Sequence, residues 1–476
     1  MRSISRRQFV RFGAGATVAG LAAIGASGCA TKAALPERVP RSTQPNLLFV
    51  FGDQWRRQAM GFMNEDPVLT SCIDQFAQQS LVFTNAISSC PVCSPYRASL
   101  LTGRYPTSNG VNTNDVQLPA AEVTIAEVLK QAGYDTGYIG KWHLDGGPRN
   151  GFTPPGRRQG FNFWYANECF HNHFELFYYR DTAEPITGHG WQPDHETNIV
   201  IDYIKTHRKD KPFALFLSWG APHTLEGVTR PDPSGNLWHY GAPERFEALY
   251  KGKPLPRRPN VPDNYAEEDL PGYFGSITSL DENFGRLLAC LDEQGLTENT
   301  IVVLTSDHGE MMGSHRRMTK AIWYEESIGI PFLIRYPGHV KAGRENLIFS
   351  DVDVMPSLLG LMGLPIPKAV EGTDFSRAMR GELVTKPESA LIEVFALGRL
   401  NASWGWRGIR TPRYTYVVYV GNEDREEVLY DNVTDPYQMN PKYAQKGKYP
   451  LDAALWQELK RWLEKTNDPW VTEKKV

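Results

Sequence analysis

The sequence predicts an α/β protein with a doubly wound sheet and a smaller C-terminal α+β subdomain. Four continuous apolar runs have the length and composition of doubly buried parallel strands: 46–51, 134–139, 213–217 and 301–304. Helical patterns lie between these runs, at 125–131, 196–205 and 276–294. Strands that alternate with helices in this way indicate a sheet with helices on both faces.

The chain changes character from about residue 377. Residues 409–420 alternate and are rich in aromatic and β-branched side chains, which predicts one antiparallel strand. Residues 455–463 have the spacing of an amphipathic terminal helix. We therefore expect a large domain over 45–376 and a subdomain of antiparallel sheet plus helix over 377–476.

Composition narrows the class of protein. The 476 residues exceed one typical core, which favours a large and a small domain. A formal net charge of -3 without long basic runs gives no indication of nucleic-acid binding. Six cysteines are too few for a disulfide scaffold in a chain of this length.

The N-terminus is typical of an exported protein. Residues 5–10 resemble a twin-arginine signal, and a weakly apolar, Gly- and Ala-rich stretch follows over 12–28. It ends at a motif that resembles a lipoprotein cleavage box with Cys29 as the lipid-bearing residue; cleavage without lipid is the alternative. We expect a signal peptide over 1–29, a linker over 30–44, export by the twin-arginine machinery to the periplasm or cell surface, and membrane attachment only through Cys29.

Polar residues follow each of the four apolar runs. They are Asp53 and Gln54 after the first run, Lys141 and His143 after the second, His223 after the third, and Asp307 and His308 after the fourth. Open α/β sheets bind ligands in the crevice beyond the carboxyl ends of their strands. The four groups therefore predict one shared site.

Residues 93–97 (CSPYR), continued by 101–104 (LTGR), place a thiol, a helix start and a fixed cation within one turn. Ser94 and Pro95 suit the first turn of a helix, whose free amides attract anions. Arg97 adds a forked donor for a tetrahedral oxyanion. The plainer interpretation is a buried Cys93 beside a surface arginine.

The pattern Cys-x-Pro-x-Arg followed by Leu-Thr-Gly-Arg resembles the signature of the type I sulfatases, in the alkaline phosphatase-like superfamily. The resemblance continues over 46–440 and implies that fold for the large domain. It also implies that Cys93 is oxidised to formylglycine by a formylglycine-generating enzyme. The rival thiol is Cys90, which forms a Cys-x-x-Cys pair with Cys93 but lacks a second pair for zinc and a thioredoxin-like context.

The resemblance also implies one divalent cation, held by Asp53, Gln54, Asp307 and His308 together with residue 93. This oxygen-rich set suits calcium, or alternatively magnesium, better than zinc. Sulfatases usually carry a second aspartate where this chain has Gln54, so the site has one negative charge fewer.

The remaining motif residues match family roles in catalysis. The resemblance implies that Lys141 and His143 steady the hydrated aldehyde and later take its proton, beside Arg97 as the donor to the oxyanion. It implies that His223 and Lys320 contact the sulfate and protonate the departing alkoxide. One hydroxyl of the hydrated aldehyde would attack sulfur, and the second would allow sulfate to be expelled.

Residues 149–191 form a Gly- and Pro-punctuated insertion rich in aromatic, histidine and arginine residues. Long segments after a strand end often form pocket walls. We expect Arg149, His171, His173 and Arg180 to read the substrate; a packed aromatic loop is the alternative.

These features predict a sulfatase that acts on a sulfated carbohydrate or a small sulfate ester, in polysaccharide degradation. Two alternatives stay open from the sequence. One is a phosphonate monoester or phosphodiester hydrolase of the same superfamily, and the other is an inactive glycan-binding surface lipoprotein. Loss of Cys93, Arg97 or Lys320 would mark the inactive protein, and all three are present.

Overall fold

The computed structural model describes residues 44–207, 210–225, 239–262, 265–395, 405–420, 425–444 and 449–472. The predicted signal peptide with Cys29, and all but the last residue of the predicted linker, lie outside these ranges. Within them, none of the helices combines the length and apolar character needed to cross a bilayer.

Fifteen strands build the described part of the chain. They are β1 (Asn46–Asp53), β2 (Leu81–Ile87), β3 (Asp135–Lys141), β4 (Phe163–Asn167), β5 (Glu175–Tyr178), β6 (Ile186–His189), β7 (Phe213–Pro222), β8 (Thr300–Ser306), β9 (Phe332–Arg335), β10 (Gly343–Ser350), β11 (Ala390–Phe395), β12 (Gly405–Arg410), β13 (Tyr414–Val420), β14 (Arg425–Asp431) and β15 (Lys442–Tyr443). The main sheet has the order β10-β2-β9-β8-β1-β7-β3-β4. Its pairings are parallel except those of β9, which is antiparallel to β2 and β8. The predicted fold class is confirmed, with a mixed sheet.

The four predicted strands are neighbours in this sheet, in the order β8-β1-β7-β3. Gly52 of β1 pairs with Ser306 of β8, and Asp53 pairs with Pro222 of β7. Their parallel carboxyl ends therefore meet along one edge, which brings together the residues that follow them. The apolar runs are continuous because both faces of these strands are covered.

Helices cover both faces of the main sheet. The longer ones are Ser71–Gln78, Cys93–Thr102, Ile125–Gln131, Gln192–Thr206, Leu270–Glu293 and Val354–Leu361. Alternate residues of β1 enter different cores: Phe49 packs with the helices at 93–102, 125–131 and 354–361, whereas Leu48 packs with those at 71–78, 192–206 and 270–293. The three helices predicted from the sequence are present, and that at 125–131 begins with a capping box formed by Thr124 and Glu127.

The C-terminal region forms a five-stranded antiparallel sheet, β11-β12-β13-β14-β15, followed by the helix Ala453–Lys465. The single strand predicted over 409–420 is wrong, because the chain turns at Pro412 and β12 pairs antiparallel with β13. Thr411 closes the turn with a backbone N–H bond to the Tyr414 carbonyl, 2.8 Å. Proline cannot donate to a ladder and favours turns, which explains the break.

The two faces of this small sheet have different partners. One face packs against the terminal helix through Leu459 and Leu463. The other packs against Ile87, Cys90 and Val92 of the larger unit. The small sheet therefore supports the segment that leads into residue 93.

Candidate active site

Cys93 is the first residue of the helix Cys93–Thr102, and Val92 before it is extended. The next residue anchors the helix start, because Ser94 Oγ donates to the His143 carbonyl at 2.7 Å. The side chain of Cys93 is therefore held at the positive end of the helix dipole, at the carboxyl edge of the sheet.

Four side chains that can bind a cation converge beside this helix start. The potential ligand atoms of Asp53, Cys93, Asp307 and His308 all lie within 4.8 Å of one another, and all four residues are buried. Cys93 Sγ lies 3.8 Å from Asp53 Oδ1 and 3.4 Å from His308 Nε2. Asp53 and Asp307 meet because β1 and β8 are adjacent and parallel.

Two buried, positively charged side chains bind the carboxylates. Arg97 Nη2 donates to Asp53 at 3.2 Å and to Asp307 at 3.0 Å, and its Nη1 donates to Ser218 Oγ at 2.7 Å. Lys141 Nζ donates to Asp53 Oδ2 at 2.5 Å. Asp307 Oδ1 accepts from the backbone amides of the residues at 54 and 308, at 3.0 and 2.9 Å.

Gly140 allows Lys141 to reach this position. The backbone of Gly140 has φ 96°, and a Cβ there would lie 2.0 Å from the Ser218 carbonyl oxygen of β7. Glycine is therefore required for β3 to approach β7 this closely at the position directly before Lys141.

The two carboxylates of the cluster differ in their tendency to ionise. Burial opposes ionisation of Asp53, but nearby cations, Lys141 foremost, outweigh it and hold the pKa of Asp53 well below its usual range. Burial and the charge of Asp53 raise the pKa of Asp307. Adjacent carboxylates ionise together only when positive charge compensates them, and a divalent cation would supply that charge.

The unmodified thiol at position 93 also feels these charges. Burial and Asp53 oppose its ionisation, but Lys141 and Lys320 outweigh them and hold the pKa of Cys93 well below its usual range. An anionic oxygen or sulfur is therefore stabilised at this position.

Gln54 follows Asp53 with a left-handed backbone, φ 69°. Its Nε2 donates to Glu310 Oε2 at 2.6 Å and to Tyr240 Oη at 2.9 Å. Its Oε1 accepts from Lys320 Nζ at 2.5 Å. The amide oxygen is therefore turned toward the charged side chains of the site.

Lys320 and His223 form a bonded pair, with Lys320 Nζ 2.7 Å from His223 Nε2. Since lysine can only donate, His223 Nε2 accepts, and His223 Nδ1 is free to donate to the Thr224 carbonyl at 3.0 Å. Burial and the charge of Lys320 hold the pKa of His223 well below its usual value. One hydrogen bond therefore joins the two residues, and a proton can pass along it.

His171 belongs to the same group of side chains. Its ring stacks on His223, with centroids 3.7 Å apart, and its Nε2 lies 2.9 Å from Lys141 Nζ. His173 supports the backbone beneath, because its Nε2 lies 3.1 Å from the His223 carbonyl and its Nδ1 lies 3.3 Å from Gln192. Both predicted substrate residues are buried inside the cluster.

His143 has a left-handed backbone, φ 56°, and its Nε2 lies 3.0 Å from Asp115 Oδ1. Arg149 binds the same carboxylate with two donors, at 2.9 and 3.0 Å. The Nδ1 atom of His143 is buried and has no hydrogen-bond partner among the residues that the structure describes. Burial opposes protonation of His143, but Cys169 and Asp115 outweigh it and raise its pKa well above the usual value.

The predicted insertion is divided between core and surface. Trp164 and Tyr178 are buried core residues, as a packed aromatic segment would have them. Arg180 is 55% exposed and Arg149 is 46% exposed. These two arginines are the predicted substrate residues that solvent, and a large ligand, can reach.

The rival thiol, Cys90, is buried in the apolar cluster under the small sheet. Its pKa is raised well above the usual value by burial, Glu393 and Asp351. The five described cysteines are free, so no Cys90–Cys93 disulfide is present. Cys93, by contrast, lies within the polar cluster.

Sequence reasoning missed several residues that build the site. Asp115, Cys169, Tyr240 and Glu310 contact the predicted residues but stand outside the motifs. Glu310 follows Asp307 and His308 closely enough that its proximity could have been inferred. Cys169 lies two residues before His171, inside the predicted insertion, whereas Asp115 and Tyr240 lie 28 and 186 residues from the residues they bind and have no local signal.

A nucleophile position, a cation site and several fixed N–H donors surround one space at the edge of the sheet. This arrangement is suited to transfer of a tetrahedral anionic group, with the cluster binding the group's oxygens. The fold and the site thus define a hydrolase of anionic esters.

Comparison with known proteins identifies the family. The sulfatase family model matches residues 45–364, and the model of the C-terminal region of N-sulphoglucosamine sulphohydrolase matches residues 313–465. The chain belongs to the sulfatase family and is a sulfuric ester hydrolase, as its motifs predicted.

Individual relatives span nearly the whole chain. An ulvan-active sulfatase of Formosa agariphila is 39% identical over 426 residues, 87% of this chain and 80% of the relative. An endo-4-O-sulfatase of Bacteroides thetaiotaomicron is 35% identical over 96% of this chain and 98% of the relative. A solved structure from work on glycosaminoglycan metabolism by that bacterium superposes with a TM-score of 0.81 at 34% identity, over 90% of this chain and 98% of the other.

Proposed function

We propose that this sulfatase hydrolyses sulfate esters of a carbohydrate through a formylglycine made from Cys93 by a formylglycine-generating enzyme. The observation that carries the proposal is the position of Cys93: it begins a helix, contacts Asp53 and His308, and lies among the cations of the site. A hydrated aldehyde at this position supplies one hydroxyl to attack sulfur and a second to release sulfate.

The surrounding residues divide the remaining work. Arg97 and Lys141 neutralise the carboxylates and hold the nucleophile's surroundings positive. Asp115 accepts the Nε2 proton of His143, and the buried Nδ1 would take a proton from the aldehyde hydrate only in the neutral form of the ring, which the raised pKa of His143 disfavours. Lys320 and His223 share a hydrogen bond, and one of them would protonate the departing alkoxide.

One divalent cation, calcium, fits the four-residue cluster, with magnesium as the alternative. The fit rests on two buried carboxylates whose oxygens converge and on a donor set rich in hard ligands. Asp53, Asp307 and His308 would hold it with residue 93, and the amide oxygen of Gln54 is the fifth candidate. The cation would polarise a sulfate oxygen.

The substrate class is proposed from the relatives and from the exposed part of the insertion. The ulvan-active and endo-4-O-sulfatases are named for sulfated polysaccharides or sulfated positions. Arg149, which is exposed and binds Asp115 beside His143, presents positive charge where a sulfated glycan would meet the site. The guanidinium of Arg180 lies over Phe163 at the start of β4, away from the carboxyl edge, which favours Arg149 over Arg180 as a substrate contact. We propose a sulfated glycan substrate and a role in polysaccharide degradation.

The cellular setting is also proposed from the sequence. The twin arginines and the motif at Cys29 favour export and a lipid anchor, and export of a folded chain would allow Cys93 to be oxidised first. The division into domains over 45–376 and 377–476 likewise remains a proposal.

The test is to express the chain with and without a formylglycine-generating enzyme and to assay both forms. Peptide mass spectrometry should find the aldehyde at Cys93 only in the matured form, and only that form should hydrolyse sulfated sugars. Active protein that carries only the unmodified thiol at position 93 would contradict the formylglycine proposal. Faster turnover of phosphate diesters than of sulfate esters would contradict the sulfatase substrate class.

A further inference from the structure

Glu310 is a completely buried carboxylate three residues after Asp307. Its Oε1 accepts the backbone amides of Met312 and Thr319, at 2.8 and 2.7 Å. Its Oε2 accepts Gln54 Nε2 and Tyr240 Oη, both at 2.6 Å. Four short hydrogen bonds thus join one side chain to three separate segments of the chain.

The first consequence concerns the side-chain amide of Gln54. Both hydrogens on its Nε2 are used, one by Glu310 and one by Tyr240. A reversed amide would place its oxygen against the Glu310 carboxylate and its NH₂ group against the Lys320 ammonium, and both contacts would be repulsive. Glu310 therefore determines which atom of Gln54 faces the charged side chains of the site.

The second consequence concerns the loop that carries Lys320. Met312, His315, Arg316, Thr319 and Ala321 all have left-handed backbones, with φ between 39° and 69°. Such a backbone is strained in a non-glycine residue, so the loop needs strong anchors. Glu310 bonds the loop at position 312 and again at 319, directly before the lysine.

We propose that Glu310 is a positioning residue that fixes both Gln54 and Lys320. One side chain would then affect both cation binding and protonation of the leaving alkoxide. The proposal rests on the proposed function, since it assigns Gln54 to the cation and Lys320 to the ester. Outer partners that orient metal ligands commonly change metal affinity or activity by about tenfold to a hundredfold when replaced.

The decisive variant is Glu310→Gln in the full, matured enzyme. Glutamine keeps the size but presents an NH₂ group, so at least one of the four donors loses its acceptor. Calorimetric titration of chelator-treated protein with calcium should show affinity lower by about tenfold to a hundredfold. The kcat for a sulfated sugar should also fall, measured with calcium raised to saturation so that the two effects separate.

Two further variants make the test specific. Tyr240→Phe removes one donor to Glu310 and one acceptor of Gln54 Nε2 but leaves the carboxylate, so calcium affinity should fall by only a few-fold. Glu393→Gln alters another completely buried carboxylate, on β11 beside Arg407, and should leave calcium affinity and saturated kcat unchanged.

Wild-type calcium affinity and wild-type saturated kcat in folded Glu310→Gln protein would overturn the proposal, even if its Tm falls. If that variant does not fold, Tyr240→Phe decides, and unchanged affinity and kcat there overturn it. A wild-type protein without sulfatase activity would instead refute the proposed function, while the calcium titrations would still report on Glu310.

Discussion

The site has two halves that are built differently. The cation half, made of Asp53, Cys93, Asp307 and His308, comes from strand ends and a helix start and is completely or almost completely buried. The leaving-group half, made of His171, His223 and Lys320, is held mainly by contacts between its own side chains. The first half lies on strand ends and a helix start, whereas in the second only His223 follows a strand directly and His171 and Lys320 lie on loops. We therefore expect them to respond differently to substitution and to substrate.

The largest loss is expected from the cation half. Asp307→Ala removes a ligand candidate and leaves Arg97 with one carboxylate partner fewer in a buried site. Cation assistance is worth several kcal/mol, so kcat/KM should fall roughly ten-thousandfold. Sugar sulfates and aryl sulfates should lose equally, because both need the sulfate group bound. Steady-state assays of both substrates check this, and a loss confined to one of them would contradict the division into halves.

The leaving-group half should discriminate between substrates. His223→Ala should lose about two to four orders of magnitude on a sugar sulfate, the range of a general acid. On nitrophenyl sulfate, whose phenolate departs without help, the loss should be much smaller. His195→Ala, at a half-buried histidine bonded to Tyr165, is the control and should leave the ratio unchanged. Equal losses on both substrates would assign the acid role to Lys320 and leave His223 as a sulfate contact.

A smaller loss is expected at Asp115, a partly exposed residue that binds His143. Asp115→Asn must satisfy both Arg149 and the His143 Nε2 proton with a single oxygen. The competition should turn or re-protonate His143 and lower kcat by about tenfold to a hundredfold, as for other orienting partners. Kinetics on nitrophenyl sulfate test this, and a kcat within twofold of wild type would show that His143 needs no such partner.

The smallest effect is on stability and lies outside both halves. Burial raises the pKa of Glu196 to about 8. The folded state therefore holds this proton above the usual pKa of glutamate while the unfolded chain releases it, so stability falls as pH rises from about 5 to 8. Glu196→Gln cannot ionise and should lose less Tm across that window. Thermal unfolding of both proteins at pH 5 and pH 8 measures the difference; parallel Tm changes would contradict it.

The sequence anticipated the cation half far better than the leaving-group half. Asp53 and Asp307 could be placed together because doubly buried parallel strands appear as continuous apolar runs, and their ends share one edge. The antiparallel direction of β9 could not be predicted, because the sequence of a four-residue strand does not indicate which strands it pairs with. The turn at Pro412 was overlooked because alternation continues on both sides of it.

Contacts across long stretches of chain explain the other omissions. Asp115 lies 28 residues from His143, and Tyr240 lies 186 residues from Gln54. The structure stacks His171 on His223, a contact that its place in an aromatic segment did not indicate, and its contact with substrate stays a prediction. Such neighbours depend on tertiary folding, which local patterns do not encode.

The close approach at Gly140 also limits how laboratory evolution can change this enzyme. Any side chain there would collide with the Ser218 carbonyl and separate β3 from β7, moving Lys141 away from Asp53. A mutagenesis library that varies this strand end would consist mostly of inactive clones. Diversity at the solvent-exposed Arg180, which pairs with Asp181, would disturb the cluster less than diversity at Arg149, which binds the Asp115 carboxylate that orients His143.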